Sequence, residues 1–202
     1  MRALAALATL LALAGAAAGW VVTAEPGWYL RARYPLRYEA AVHGTALRHR
    51  LAPSLVAAVV YAESEFDPQA RSSAGALGLM QLLPTTAEGI ALHTGGERFV
   101  VPDLFDPALN LSYGTWYLRS LLDRYGDVPT ALAAYHAGPG NVDRWRAAGE
   151  EIGFPETRAY VEKVLRLERV YAEAWTLAGR TYSPSAARSP IARSVPSNST
   201  LN

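Results

Sequence analysis

Two carboxylates set two residues apart, Glu63 and Glu65, lie in the stretch from Ala52 to Pro84, APSLVAAVVYAESEFDPQARSSAGALGLMQLLP. Their spacing predicts opposite surroundings. Pro53 suits the first turn of a helix, and an apolar run follows it. At about 100° per residue, Leu51, Leu55, Val59, Ala62 and Phe66 share one face. Glu63, four residues after Val59, falls near the middle of that stripe, whereas Glu65 projects towards solvent. Asp67-Pro68 is expected to end the helix, because a residue before proline avoids the α region. Glu63 then sits in the last turn, where free carbonyls disfavour a negative charge and apolar neighbours disfavour it further. A glutamate that keeps its proton near neutral pH is equipped for general acid catalysis. The plain alternative is an ion pair, with Arg71 as the expected partner.

The rest of the composition narrows the chemistry. The 202 residues allow one compact domain, or one plus appendages. With 19 basic against 18 acidic residues, no charge excess points to nucleic acid. There is no cysteine, hence no disulfide framework, thiol nucleophile or Cys-based metal site. His43, His49 and His93 show no ligand-like spacing with carboxylates, so no metal and no cofactor is assigned. The small-residue run Ser72 to Gly78 lacks the Gly-Lys-Ser/Thr ending of a phosphate loop.

Residues 1–24 read as a targeting segment: a basic Arg2, an apolar run from Ala3 to Ala18, then two small-residue cleavage options, Ala16-Ala17-Ala18 and Val22-Thr23-Ala24. Uncleaved, Ala3 to Val22 has about the length of a bilayer crossing and would tether the protein. Either way the remainder is expected to be exported to the periplasm or cell envelope, as a monomer.

Beyond Tyr34-Pro35 the pattern is helix after helix. Leu36 to Arg50 is moderately periodic, Pro84 opens a helix to about Leu92, and Asp106-Pro107 caps another that stops at Gly126. Short helices are expected over Asp127 to Ala137 and Asn141 to Ala148, and a long one from Pro155. No alternating strand of useful length appears, so the fold class is all-α. Residues 25–180 form the expected catalytic domain. Residues 181–202, rich in Ser, Pro, Ala and Arg, read as a disordered tail.

Taken in order, four segments resemble the signature of the soluble lytic transglycosylases, bacterial enzymes with a goose-type-lysozyme-like catalytic domain. They are Glu63-Ser64; Gly78-Leu79-Met80-Gln81; Ala134-Tyr135-His136-Ala137-Gly138; and Pro155-Glu156-Thr157-Arg158 with Tyr160-Val161. Tyr34-Pro35-Leu36 is similar to the family's entry into that domain, and the resemblance runs from about Tyr34 to Tyr171. It implies a lysozyme-like bundle of many short helices around a substrate cleft. The implied substrate is the glycan strand of peptidoglycan, cut at the β-1,4 bond from N-acetylmuramic acid to N-acetylglucosamine to leave a 1,6-anhydromuramic end.

Glu63 matches the family's single catalytic acid and base. The residues agree with that role, since two carboxylates flank the bond in ordinary glycosidases and this chain offers one buried candidate. By the same resemblance Ser64 fixes geometry beside the acid, Ser72 lies near the sugar or its peptide, and Gln81 lines the cleft. Tyr135 hydrogen-bonds near acid and sugar, and Glu156 and Tyr160, a helical turn apart, close the cleft. Each has a plainer reading: Ser64 as a helix-end hydroxyl, Ser72 as a loop residue, Tyr135 as a core aromatic, Glu156 as a first-turn carboxylate. His136 departs from the family's asparagine, and Leu83 stands where relatives often carry methionine. An imidazole beside the sugar should weaken activity below about pH 6, where it charges. Two alternatives use the same fold: a hydrolytic muramidase, and a silent wall-binding scaffold.

Overall fold

A computed structural model describes residues 2–96 and 99–177. Among them are nine α-helices and no strand, as the all-α reading expects. In chain order these are α1 (Arg2–Ala24), α2 (Gly27–Arg33), α3 (Glu39–Arg48), α4 (Pro53–Ser64), α5 (Pro84–Thr94), α6 (Pro107–Tyr125), α7 (Val128–Ala137), α8 (Pro139–Ala148) and α9 (Pro155–Leu177). A 3₁₀ turn, Val101–Phe105, precedes α6. The tail expected over 181–202 lies outside the described residues.

Local chemistry explains most boundaries. Prolines occupy the first turns of α4 to α8, where a missing N–H costs nothing. Asp106 and Asp127 accept the backbone N–H of Leu109 and Thr130 at 2.8 Å each, capping α6 and α7. Gly126 ends α6 in the left-handed region. The helix expected from Asn141 starts two residues earlier, because Pro139 is already pre-set for helical φ.

α4 is the central element, packed chiefly on α9 and also on α3. The expected apolar stripe is too narrow a description. Every residue from Pro53 to Tyr61 is buried, with Val56, Ala57, Ala58 and Val60 as enclosed as Val59. A helix buried all round has no polar face to mark a period. Asp67-Pro68 does not end it either. It stops at Ser64, because Glu65 and Phe66 both take left-handed φ, +50° and +64°. Phe66 is held there by complete burial against the rings of Tyr61 and Tyr171, at 6.5 and 6.3 Å. Two consecutive non-glycine residues in this region are a local strain that the aromatic cluster sustains.

Two apolar clusters form. The larger joins α3, α4, α6, α7 and α9; the smaller gathers Leu77, Leu82, Ala87 and Leu104, with Phe99, Phe105, Leu109 and Tyr113 against it. α1 stands outside both, with Leu4, Leu7, Leu10, Leu11 and Leu13 exposed. No helix among the described residues is long and apolar enough to cross a membrane.

Candidate active site

A cleft of about 510 Å³ runs between the two clusters. Ala76, Leu82, Leu83 and Thr86 line it from the smaller side, and Glu63, Tyr117, Tyr135 and His136 from the larger. Ser72 and Gln81 complete a wall, and Gly138-Pro139 closes one end. Glu63 is the one carboxylate among the residues that line it.

Glu63 reaches the cleft because α4 ends directly behind it. Its Oε1 accepts the Tyr160 hydroxyl at 2.6 Å. Burial pushes the carboxyl up to about 7, opposed by that hydrogen bond and by the positive charge of Lys163. Glu65, two residues further on and itself in the left-handed region past the end of α4, is exposed. Arg71 is not the partner the sequence suggested: its guanidinium lies over the Phe105 ring, 4.4 Å from the centroid. The neighbours of Glu63 come instead from α9, almost a hundred residues away in sequence.

The loop between α4 and α5 forms the facing wall. Ser64 donates its hydroxyl to the Leu79 carbonyl at 2.7 Å, with the Val60 carbonyl at 3.2 Å, and so fastens the acid's helix to this loop. Ser72 Oγ accepts the Ala76 N–H at 3.0 Å, turning the loop towards the cleft. Gln81, at φ +47°, donates its amide to the carbonyls of Ala70 and Gly78 at 3.1 and 2.9 Å. Tyr135 donates to the Met80 carbonyl at 2.7 Å. Burial first, then the Glu63 charge, push the Tyr135 and Tyr160 phenols well above their ordinary value, so both remain donors.

One buried side chain braces the whole loop. Asn110, with no exposed surface, accepts the Met80 N–H at 2.7 Å and donates to the carbonyls of Leu77 and Leu104 at 2.9 Å each. Gly78, at φ +76°, makes that bracing possible. A Cβ there would meet the Leu104 carbonyl oxygen at 2.2 Å and the Asn110 amide at 2.4 Å.

His136 stacks on Tyr160, ring centroids 4.5 Å apart at 28°, and its Nδ1 lies 3.1 Å from the buried Thr157 hydroxyl. Burial holds its imidazole below the ordinary 6.5, partly offset by the Glu156 charge. Glu156 itself is exposed on the first turn of α9 and is not among the cleft-lining residues. Ser72, Gln81, Tyr135 and His136 therefore share the cleft with Glu63, while Tyr160 touches Glu63 from behind and Ser64 works through backbone.

Residue types alone do not reveal Asn110, Tyr117, Thr157 or Lys163. Lys163 carried a signal, since it stands three residues after Tyr160 and so on the same helical face. Its Nζ donates to the Ala62 carbonyl at 3.0 Å.

Known proteins are similar to this chain in sequence and in fold. Residues 41–154, over half the chain, match the family model "Transglycosylase SLT domain". A transglycosylase of Enterobacteria phage PRD1 is 38% identical over 131 residues, covering 65% of this chain and 43% of the relative. The soluble lytic murein transglycosylase of Salmonella typhimurium is 35% identical over 160 residues, covering 71% and 24%. The chain thus spans less than half the length of these relatives. The structure of an inactive Glu-to-Gln variant of lytic transglycosylase Slt from Pseudomonas aeruginosa superposes with a TM-score of 0.67 at 32% identity, covering 77% of this chain and 27% of that one. The 70-kDa soluble lytic transglycosylase in complex with bulgecin A gives 0.68 at 30%, covering 78% and 27%. By sequence and by fold, this chain belongs to the transglycosylase SLT domain family, that of the soluble lytic murein transglycosylases.

Proposed function

We propose that the chain is a peptidoglycan lytic transglycosylase, cleaving the β-1,4 bond between N-acetylmuramic acid and N-acetylglucosamine without water. One observation carries the reading: a single enclosed carboxyl, raised to about 7, faces a cleft that holds no second carboxylate among its lining residues. A hydrolase with two flanking acids needs a partner for Glu63 at a defined separation. A reaction in which the sugar supplies its own nucleophile does not.

The reactive ground state is the neutral form of Glu63, which is held up to about pH 7. Tyr160 occupies Oε1, so the acidic proton sits on Oε2 and the carboxyl is held in one orientation. Protonation of the leaving glycosidic oxygen breaks the bond to C1, and the substrate's N-acetyl oxygen stabilises C1. The resulting carboxylate keeps the Tyr160 hydrogen bond, then takes the proton of the muramic C6 hydroxyl as that oxygen closes on C1. The proton count balances: Glu63 ends as it began, and the products are an N-acetylglucosamine 4-hydroxyl and a 1,6-anhydro ring. Gln81, Tyr135 and His136 form the walls that hold the sugars in this reading, and Ser72 the rim nearest the peptide.

Residues 25–180 would then be the catalytic domain, and residues 1–24 the segment that exports it to the cell envelope or tethers it there. The test is the mass of muropeptides released from purified peptidoglycan by the full chain and by Glu63→Gln. Products about one water lighter than hydrolytic ones, absent with Glu63→Gln, support the proposal. Products of hydrolytic mass would make it a muramidase, and wall binding with no release a scaffold.

A further inference from the structure

The strained end of α4 leaves its terminal carbonyls to be satisfied from elsewhere. Glu65 N–H returns to the Tyr61 carbonyl at 3.0 Å, and the next carbonyl, that of Ala62, receives the Lys163 ammonium. Ala62 immediately precedes Glu63, and Lys163 lies one turn beyond Tyr160 on α9. One helix face thus delivers a phenol to the carboxyl and an ammonium to the backbone that carries it. We propose that Lys163 is a positioning residue of the lytic reaction, holding the last turn of α4 in place and supplying the positive charge that favours the carboxylate half of the Glu63 cycle.

The inference rests on the acid–base reading above and adds a requirement to it. Glu63 must release its proton in the first step and remain ionised long enough to act as base. Burial opposes the ionised form, and so do the carbonyls at the end of α4. The ionisable groups around it are few. Tyr160 on α9 and Tyr135 on α7 are neutral donors, and His136 lies beyond the Tyr160 ring with its basicity lowered. Glu65 on α4 is exposed. Lys163 is the cation whose charge acts on Glu63, in the direction opposite to burial. An ammonium at a helix C-terminus is favourable in its own right, so the same group steadies the helix end and the charge presented there.

The test is the pH profile of anhydromuropeptide release by Lys163→Met, Lys163→Gln and Lys163→Arg in the full chain, measured below substrate saturation. Loss of the cation should move the alkaline limb, which reports the Glu63 proton, upward by roughly half a unit to one unit. The rate at the original optimum should fall roughly three- to tenfold. Gln keeps a donor without the charge and should share the shift, should Met not fold. Arg should restore both limb and rate. An unmoved limb in Met and Gln, with the rate lowered equally at every pH, would reduce Lys163 to a helix brace and overturn the proposal. So would an Arg variant shifted like Met. Wild-type release of anhydro products, with none from Glu63→Gln, keeps the reaction itself standing whichever way Lys163 falls.

Discussion

Keeping a glutamate neutral in a cleft carries a stability cost that can be measured apart from activity. Glu63 titrates near 7 in the folded chain, against 4.5 for the ordinary group. Between those values the folded state holds a proton that the unfolded state has released. Stability therefore falls as pH rises from about 4.5 to about 7, and stays at the lower level above that. Each unit is worth about 1.4 kcal/mol, so the deficit approaches about 3 kcal/mol, a ceiling trimmed by cleft solvent. Glu63→Gln removes the titration while its amide oxygen can still accept the Tyr160 hydroxyl. The variant should match wild type near pH 4.5 and exceed it at pH 8 by up to about 3 kcal/mol, or roughly 5–10 °C in Tm. Thermal unfolding of both proteins across that range, followed by circular dichroism, is the assay. Equal melting curves at pH 8, or a gain of the same size at pH 4.5, would refute the claim that folding holds Glu63 in its acid form.

Two other predictions probe the walls of the cleft. Asn110→Ala strands the Met80 N–H and two carbonyls in a dry site, and should cost about 3 kcal/mol or more in chemical denaturation; a loss under about 1 kcal/mol would show that the loop re-forms its bonds elsewhere. His136→Asn should track wild type through neutral pH and outlast it in acidic buffer, where the wild-type imidazole charges against Tyr160. Burial places that divergence lower than an exposed histidine would, and acid limbs that coincide throughout would exclude charging of His136 as the cause.

How much of this was legible beforehand depended on the range of the interaction. Helices bounded by their own punctuation were readable: Asp106-Pro107 to Gly126, and the start at Pro155. The contrast between Glu63 and Glu65 was legible too, although Glu65 owes its exposure to a left-handed residue just past the end of α4 and not to a two-residue step along the helix. What the pattern missed was set by distant partners. α4 stops at Ser64 through the packing of Phe66 on Tyr171, not through Pro68. From Pro53 to Tyr61 it is buried all round, not along one stripe, since α9 and α3 pack on it. Asn110 is thirty residues from the Met80 N–H it holds, and an asparagine between Leu109 and Leu111 gives no sign of that task. Glu156 matches a motif and shares a helical face with Tyr160, yet on the first turn of α9 it stands exposed, outside the cleft lining, with its charge acting on His136.

The central claim is that bond cleavage consumes no water, and isotope labelling addresses it most directly. Peptidoglycan digested by the full chain in ¹⁸O-enriched water, then analysed by mass spectrometry without reduction, should yield muramic ends that carry no label and lack one water. A labelled oxygen at C1 of those ends, abolished in the Glu63→Gln variant, would contradict the account and assign Glu63 to hydrolysis.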